Sequence, residues 1–158
     1  MKKAIITGAT GFIGARLVNM LLDNDITVIG LGRKAWSEID PNRLVPRDGF
    51  CYIKLRMDEL AELPLALESN GCGGMDDTVF YNIAWSGSAG LSDLDVSGQM
   101  KNVSEACQAH SIADSLGCSK FVHVGTMEEP IAQNYLGLDH RTRSEFNRHV
   151  VYSLAKTA

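Results

Sequence analysis

Tyr152 and Lys156 stand four residues apart in the stretch YSLAK. On a helix that spacing puts both side chains on one face. An ammonium beside a phenol favours the phenolate, which makes such a tyrosine a usable general acid or base. By itself the pair reads equally well as a surface Tyr–Lys contact. Near the other end of the chain, TGATGFIG at 7–14 sets Gly8, Gly11 and Gly14 three apart, directly after the apolar run Ala4-Ile5-Ile6. A strand ending in a helix start offers unpaired backbone N–H groups and the positive end of the helix dipole. A diphosphate can rest against those groups only where no side chain blocks it. Gly8 suits the tight turn, Gly11 the close contact, and Gly14 the close packing of helix on strand. A glycine-rich turn that binds nothing is the competing reading, and the strand-before, helix-after context argues against it.

Those residues need elements to position them. KAIIT at 3–7 reads as a short buried strand, and Phe12, Ile13, Leu17, Val18, Leu21 and Leu22 recur at helical spacing, predicting a helix from Phe12 to Asn24. Further strands are expected at 26–31, 50–55, 78–85 and 120–126. Pro41 and Pro46 mark a loop, Asp58 to Ser69 a short helix with Pro64 early in it, and 71–74 a flexible turn. A long helix is expected from Ser92 to Leu116, stopped by Gly117, and a last helix from Asn147; residues 127–145 are polar and irregular. The strands are short apolar runs that alternate with helices, the pattern of a parallel sheet covered on both faces. Right-handed crossovers then give a doubly wound α/β fold, with strand order 3-2-1-4-5, in one domain over 1–158.

Composition removes several classes. With 15 basic and 19 acidic residues among 158, the net charge of -4 offers no attraction for nucleic acid or a membrane surface. No run reaches the roughly 18–20 apolar residues of a membrane span. The Lys2-Lys3 start faintly resembles a signal peptide, but its apolar run meets Gly8 too soon. Cys51, Cys72, Cys107 and Cys118 form no CxxC pair, so they read as reduced thiols, with no metal site, in a cytoplasmic protein.

Thr7 to Gly14 match TGxxGxxG throughout, and here the chain resembles the extended short-chain dehydrogenase/reductases, the epimerase/dehydratase type acting on nucleotide sugars. The resemblance implies NAD or NADP bound across the carboxyl ends of the strands, with Gly8, Thr10, Gly11, Phe12, Ile13 and Gly14 at the crossover and Tyr152 and Lys156 at the ribose. The end of strand 2, Gly30-Leu31-Gly32-Arg33-Lys34, lacks the acid that usually binds the ribose diol of NAD. Arg33 and Lys34 suit a 2'-phosphate instead, which favours NADP; as solvated surface cations they would say nothing about the cofactor.

The resemblance extends to catalysis. It places Thr126, at the end of strand 5, beside Tyr152 as the hydroxyl that shares the substrate proton, and Asn102 in support of the hydrogen-bond network around Lys156. Trp85 falls where some sugar-nucleotide members carry a tryptophan, and packing accounts for it equally. Glu128 stands where nucleotide-sugar 4,6-dehydratases carry a proton-abstracting acid, yet it also reads as a solvated loop acid. Members of the family pair as homodimers through the helix before strand 5 and the tyrosine helix, and continue past the tyrosine helix into a substrate lobe. The expectation is therefore the N-terminal part of a longer nucleotide-sugar enzyme, lacking the C-terminal substrate lobe. A native mass well above 17.2 kDa would establish that. The alternative is a dinucleotide-binding sensor or scaffold without catalysis.

Overall fold

The computed structural model describes residues 1–87, 95–126 and 147–158. In chain order these form β1 (Lys3–Thr7), α1 (Phe12–Leu22), β2 (Thr27–Gly32), β3 (Phe50–Lys54), α2 (Leu63–Ser69), β4 (Thr78–Asn82), α3 (Val96–Ser115), β5 (Lys120–His123) and α4 (Asn147–Thr157), with single 3-10 turns at Trp36–Glu38 and Met57–Glu62. The strands make one parallel sheet in the order β3-β2-β1-β4-β5. The α/β doubly wound topology expected from the sequence is the one observed.

Alternation along each strand explains the two-sided core. Ile5 of β1, Ile29 and Leu31 of β2, Ile53 of β3 and Phe80 of β4 share one apolar cluster with Leu63 and Leu67 of α2 and with Ala109 and Ala113 of α3. Ala4 and Ile6, the other parity of β1, join Val28 and the α1 residues Ala15, Val18, Leu21 and Leu22 in a second cluster. Successive side chains of a strand point to opposite faces. A strand with helices on both sides must therefore be apolar at every position, which is why these strands read as unbroken apolar runs.

The chain divides into two compact units. Met1–Ala84 with Ala106–His123 carries the sheet; Trp85–Glu105 with Val124–Ala158 carries the first half of α3 and all of α4.

Several elements differ from expectation. The helix expected over 58–69 is a 3-10 turn over Met57–Glu62 followed by α2, with Pro64 in the first turn of α2. Proline has no N–H to continue an α ladder, and its ring collides with the carbonyl four residues back, so the α-helix starts afresh around it. β4 ends at Asn82 rather than Trp85 because the next two N–H groups, of Ile83 and Ala84, both donate to the Thr7 hydroxyl at 3.0 and 3.1 Å. β5 accordingly ends at His123, the partner of Asn82, and Thr126 lies three residues past the strand rather than at its last position. Of the helix expected from Ser92 to Leu116, the described residues form α3 from Val96 to Ser115; residues 88–94 lie outside the described chain, as do Glu128 and the rest of 127–146.

Candidate functional site

The first crossover is a cradle made of main chain. Gly8 turns the chain out of β1 with φ +67°, and a β-carbon there would sit 3.0 Å from the Ala84 nitrogen. A β-carbon on Gly14 would overlap the Gly8 carbonyl oxygen, so only glycine lets α1 approach the turn this closely. The Gly11 N–H donates to Gly8 O at 2.9 Å, and the helix ladder begins with Ala15 N donating to Gly11 O. The N–H groups of Phe12, Ile13 and Gly14 therefore have no acceptor within the helix. Gly11 is the N-cap and supplies no side chain to satisfy them, and no acidic residue stands in the first turn. Phe12 projects outward, 86% exposed. Bare amides at the positive end of a helix dipole fit an anionic diphosphate.

The end of β2 fixes what surrounds the cradle. A β-carbon on Gly32 would lie 2.6 Å from the Tyr52 hydroxyl and 3.3 Å from the Thr10 methyl, so a side chain here would have to displace the Tyr52 hydroxyl. The Tyr52 hydroxyl donates to Lys34 O at 2.8 Å. Burial, then the charge of Glu38, pushes its pKa up to about 12, so it remains a donor. Beside it opens a cavity of about 340 Å³ lined by Thr10, Lys34, Ser37, Glu38, Asp40 and Arg43, together with Ile39. Arg43 Nη1 donates to Thr10 O at 3.3 Å, which ties the loop after β2 to the crossover. Thr10 and Lys34 line the same cavity, whereas Arg33 is exposed and does not line it. Arg43 was missed because it arrives from a loop with no local motif.

A buried polar junction locks the carboxyl ends of β1 and β4. Thr7, 1% exposed, donates its hydroxyl to Asn82 Oδ1 at 2.8 Å while accepting from Ile83 and Ala84. The Asn82 amide nitrogen meets His123 Nδ1 at 3.1 Å. The hydroxyl is both donor and double acceptor, which uses its full capacity. It sets where the chain leaves the sheet beneath Gly8.

The second unit holds the proton-transfer candidates. Tyr152 and Lys156 lie on α4, both half-buried, on the face that i,i+4 spacing predicts. Lys156 Nζ donates to Val124 O at 2.9 Å and sits 3.7 Å from the centroid of the Trp85 ring, a close cation–π contact. Trp85 meets Tyr152 edge-on, 6.1 Å between ring centroids at 78°. Behind the ring, Trp85 Nε1 donates to Gln99 Oε1 at 2.8 Å. Asn102 works on the next residue: its Oδ1 accepts from Ser86 N at 2.9 Å and its Nδ2 donates to Ser86 O at 2.7 Å. Gln99 and Asn102 are both almost fully buried on α3. Asn102 therefore reaches the lysine through the main chain that carries Trp85. Gln99 escaped notice because a buried amide on a helix carries no spacing signal. Thr126 is half-buried in the same unit. Among the described residues no cluster of His, Cys, Asp and Glu could hold a metal ion, and no helix is long and apolar enough to cross a membrane.

A parallel sheet in this order, opening on a glycine cradle, defines a Rossmann-like fold. Residues 4–158 match the NAD dependent epimerase/dehydratase family, and the chain belongs to that family. No curated protein matches the sequence. Among solved structures, the Bordetella bronchiseptica enzyme WbmG in complex with NAD superimposes with a TM-score of 0.70 at 15% identity, covering 99% of this chain and 47% of that one. The Thermotoga maritima UDP-glucose 4-epimerase with UDP-glucose gives 0.66 at 14% identity, covering 98% and 48%. TunA, an NAD dependent NDP-hexosamine 5,6-dehydratase of tunicamycin biosynthesis, gives 0.66 at 21%, covering 99% and 47%. At such identities the likeness is one of fold. The chain spans about half the length of these structures.

Proposed function

We propose that residues 1–158 act as the dinucleotide-binding core of a cytoplasmic nucleotide-sugar epimerase, dehydratase or reductase. The observation that carries this is the side-chain-free nest of amides at Phe12, Ile13 and Gly14, in a chain of the epimerase/dehydratase family. Bound NAD(P) supplies the carrier that takes and returns the sugar's hydride. Gly8, Thr10, Gly11 and the helix-start amides hold its diphosphate. Tyr152 removes and returns the proton of the sugar hydroxyl, Thr126 orients that hydroxyl, and Lys156 holds the cofactor ribose and favours the phenolate. Asn102 is a positioning residue that fixes Ser86, next to the ring that Lys156 covers. Support for a nucleotide-sugar substrate comes from the fold neighbours, one of them WbmG in complex with NAD and UDP.

We further propose that NADP is preferred over NAD. A side chain at Gly32 would have to displace the Tyr52 hydroxyl, and Lys34 and Arg43 are the two cations of the adjacent cavity, set there beside Glu38 and Asp40. Arg33, exposed beside Lys34, adds a second guanidinium within the same loop. The intact protein is a homodimer in this account. Val96 and Met100 of α3 and Leu154 of α4 are exposed apolar side chains that a second copy would cover. Titration with NAD and NADP, followed by nicotinamide absorbance on adding UDP-sugars, tests the proposal. Turnover abolished by Tyr152→Phe supports it. Tight dinucleotide binding without turnover on any nucleotide sugar would leave a sensor or scaffold.

A further inference from the structure

Cys51 on β3 and Cys72 in the turn after α2 are 21 residues apart in sequence, yet their sulfurs lie 3.0 Å from one another. That is about one ångström beyond the ~2.05 Å of a disulfide bond. Both thiols are reduced and half-buried at the edge of the larger apolar cluster. Nothing in the proposed cofactor chemistry uses them. No third ligand accompanies them among the described residues, which removes a metal as the reason for their approach. The turn that carries Cys72 is held to α2, Gly71 N donating to Glu68 O at 3.0 Å and Cys72 N to Leu67 O at 2.8 Å. Lys3 Nζ donates to Gly73 O at 2.7 Å and to Gly74 O at 2.6 Å, while added β-carbons at Gly71, Gly73 and Gly74 would meet nothing. The loop is therefore anchored to β1, with open space around its glycines.

We propose that Cys51 and Cys72 form a redox-active dithiol, a site at which hydroperoxides oxidise the protein to an intramolecular disulfide. The Cys72 thiolate attacks the hydroperoxide, the O–O bond breaks, an alcohol (or water) departs, and Cys72 becomes a sulfenic acid. The Cys51 sulfur then attacks the Cys72 sulfur, the S–O bond breaks as the S–S bond forms, and the Cys51 proton leaves with hydroxide as water. Two thiols lose two electrons and the hydroperoxide gains them. The division of roles follows from the surroundings. Cys72 sits in a turn between exposed Gly71 and Gly73 and meets the hydroperoxide first, whereas Cys51 lies on β3, where burial, then the contact with Cys72, pushes its thiol up to about 12, and it resolves. Exposed Cys107 stands alone as the internal control.

The test is peptide mapping of the intact protein after a slight excess of hydrogen peroxide. The expected result is loss of two hydrogens in mass, a peptide linked through Cys51 and Cys72, and full recovery with dithiothreitol. In Cys51→Ser, a sulfenic-acid trap labels Cys72; in Cys72→Ser, it does not label Cys51. Absence of the linked peptide from the folded wild-type protein overturns the proposal. So does irreversible oxidation of Cys72 while Cys51 is present. Because the wild-type measurement needs no variant, a folding defect in either serine substitution leaves the decision intact.

Discussion

The two units build their sites from opposite materials. At the first crossover, the proposed diphosphate site rests on side chains that are missing: Gly8 and Gly14 let main chain come close to main chain, and Gly11 caps the helix without a side chain. In the second unit it rests on side chains that interlock: Lys156 on Trp85, Trp85 on Gln99, Asn102 on Ser86. A cradle of backbone is intolerant of an added atom where main chain already fills the space, as at Gly14, whereas a side-chain network fails one contact at a time. The first should therefore respond to mutation sharply and through the fold, the second in a graded way and through chemistry.

Four substitutions sharpen that contrast. Tyr152→Phe should lower turnover of nucleotide sugars by roughly 10²–10⁴-fold, the range for a lost general acid–base, with dinucleotide affinity little changed. Steady-state kinetics beside a binding titration would check it, and a matching loss of affinity would place the phenol in binding instead. Gly14→Ala should cost about 3 kcal/mol, at the upper end for overpacking, because its β-carbon meets a carbonyl oxygen that cannot move aside. Urea unfolding measures this, and a cost below about 1 kcal/mol would mean that α1 shifts freely. Thr7→Val keeps the shape but removes the donor to Asn82 and the acceptor for two N–H groups, for an expected loss of about 2 kcal/mol by the same assay. Arg43→Ala should reduce the preference for NADP over NAD by about tenfold, roughly 1.4 kcal/mol, with stability nearly unchanged. An unaltered preference would remove Arg43 from cofactor selection.

What the sequence disclosed follows the same division. Apolar runs such as KAIIT, and glycines at fixed local spacing, give the sheet, its order and the cradle, because each depends on neighbours along the chain. The ends of β4 and β5 were not legible. They are set by the Thr7 hydroxyl, which takes N–H groups 76 and 77 residues away, and no strand propensity records that. Pro64 was visible, but its effect on the 3-10 to α transition depends on the turn before it. Arg43, Gln99 and the Cys51–Cys72 contact likewise exist only once distant segments meet. Tyr152 and Lys156 are legible as a same-face pair because one helix carries both.

The central claim is that a dinucleotide diphosphate lies on the bare amides of the first crossover, and Gly11 tests it most directly. Its backbone, with φ -74°, suits any residue, and an added β-carbon would meet only the Gly8 carbonyl oxygen at 3.2 Å. Gly11→Ala should thus fold with nearly wild-type stability while calorimetry shows NADP and NAD affinity reduced at least tenfold, since the methyl occupies the space of the phosphate. A stable Gly11→Ala protein that binds both nucleotides as tightly as the wild type would contradict the account.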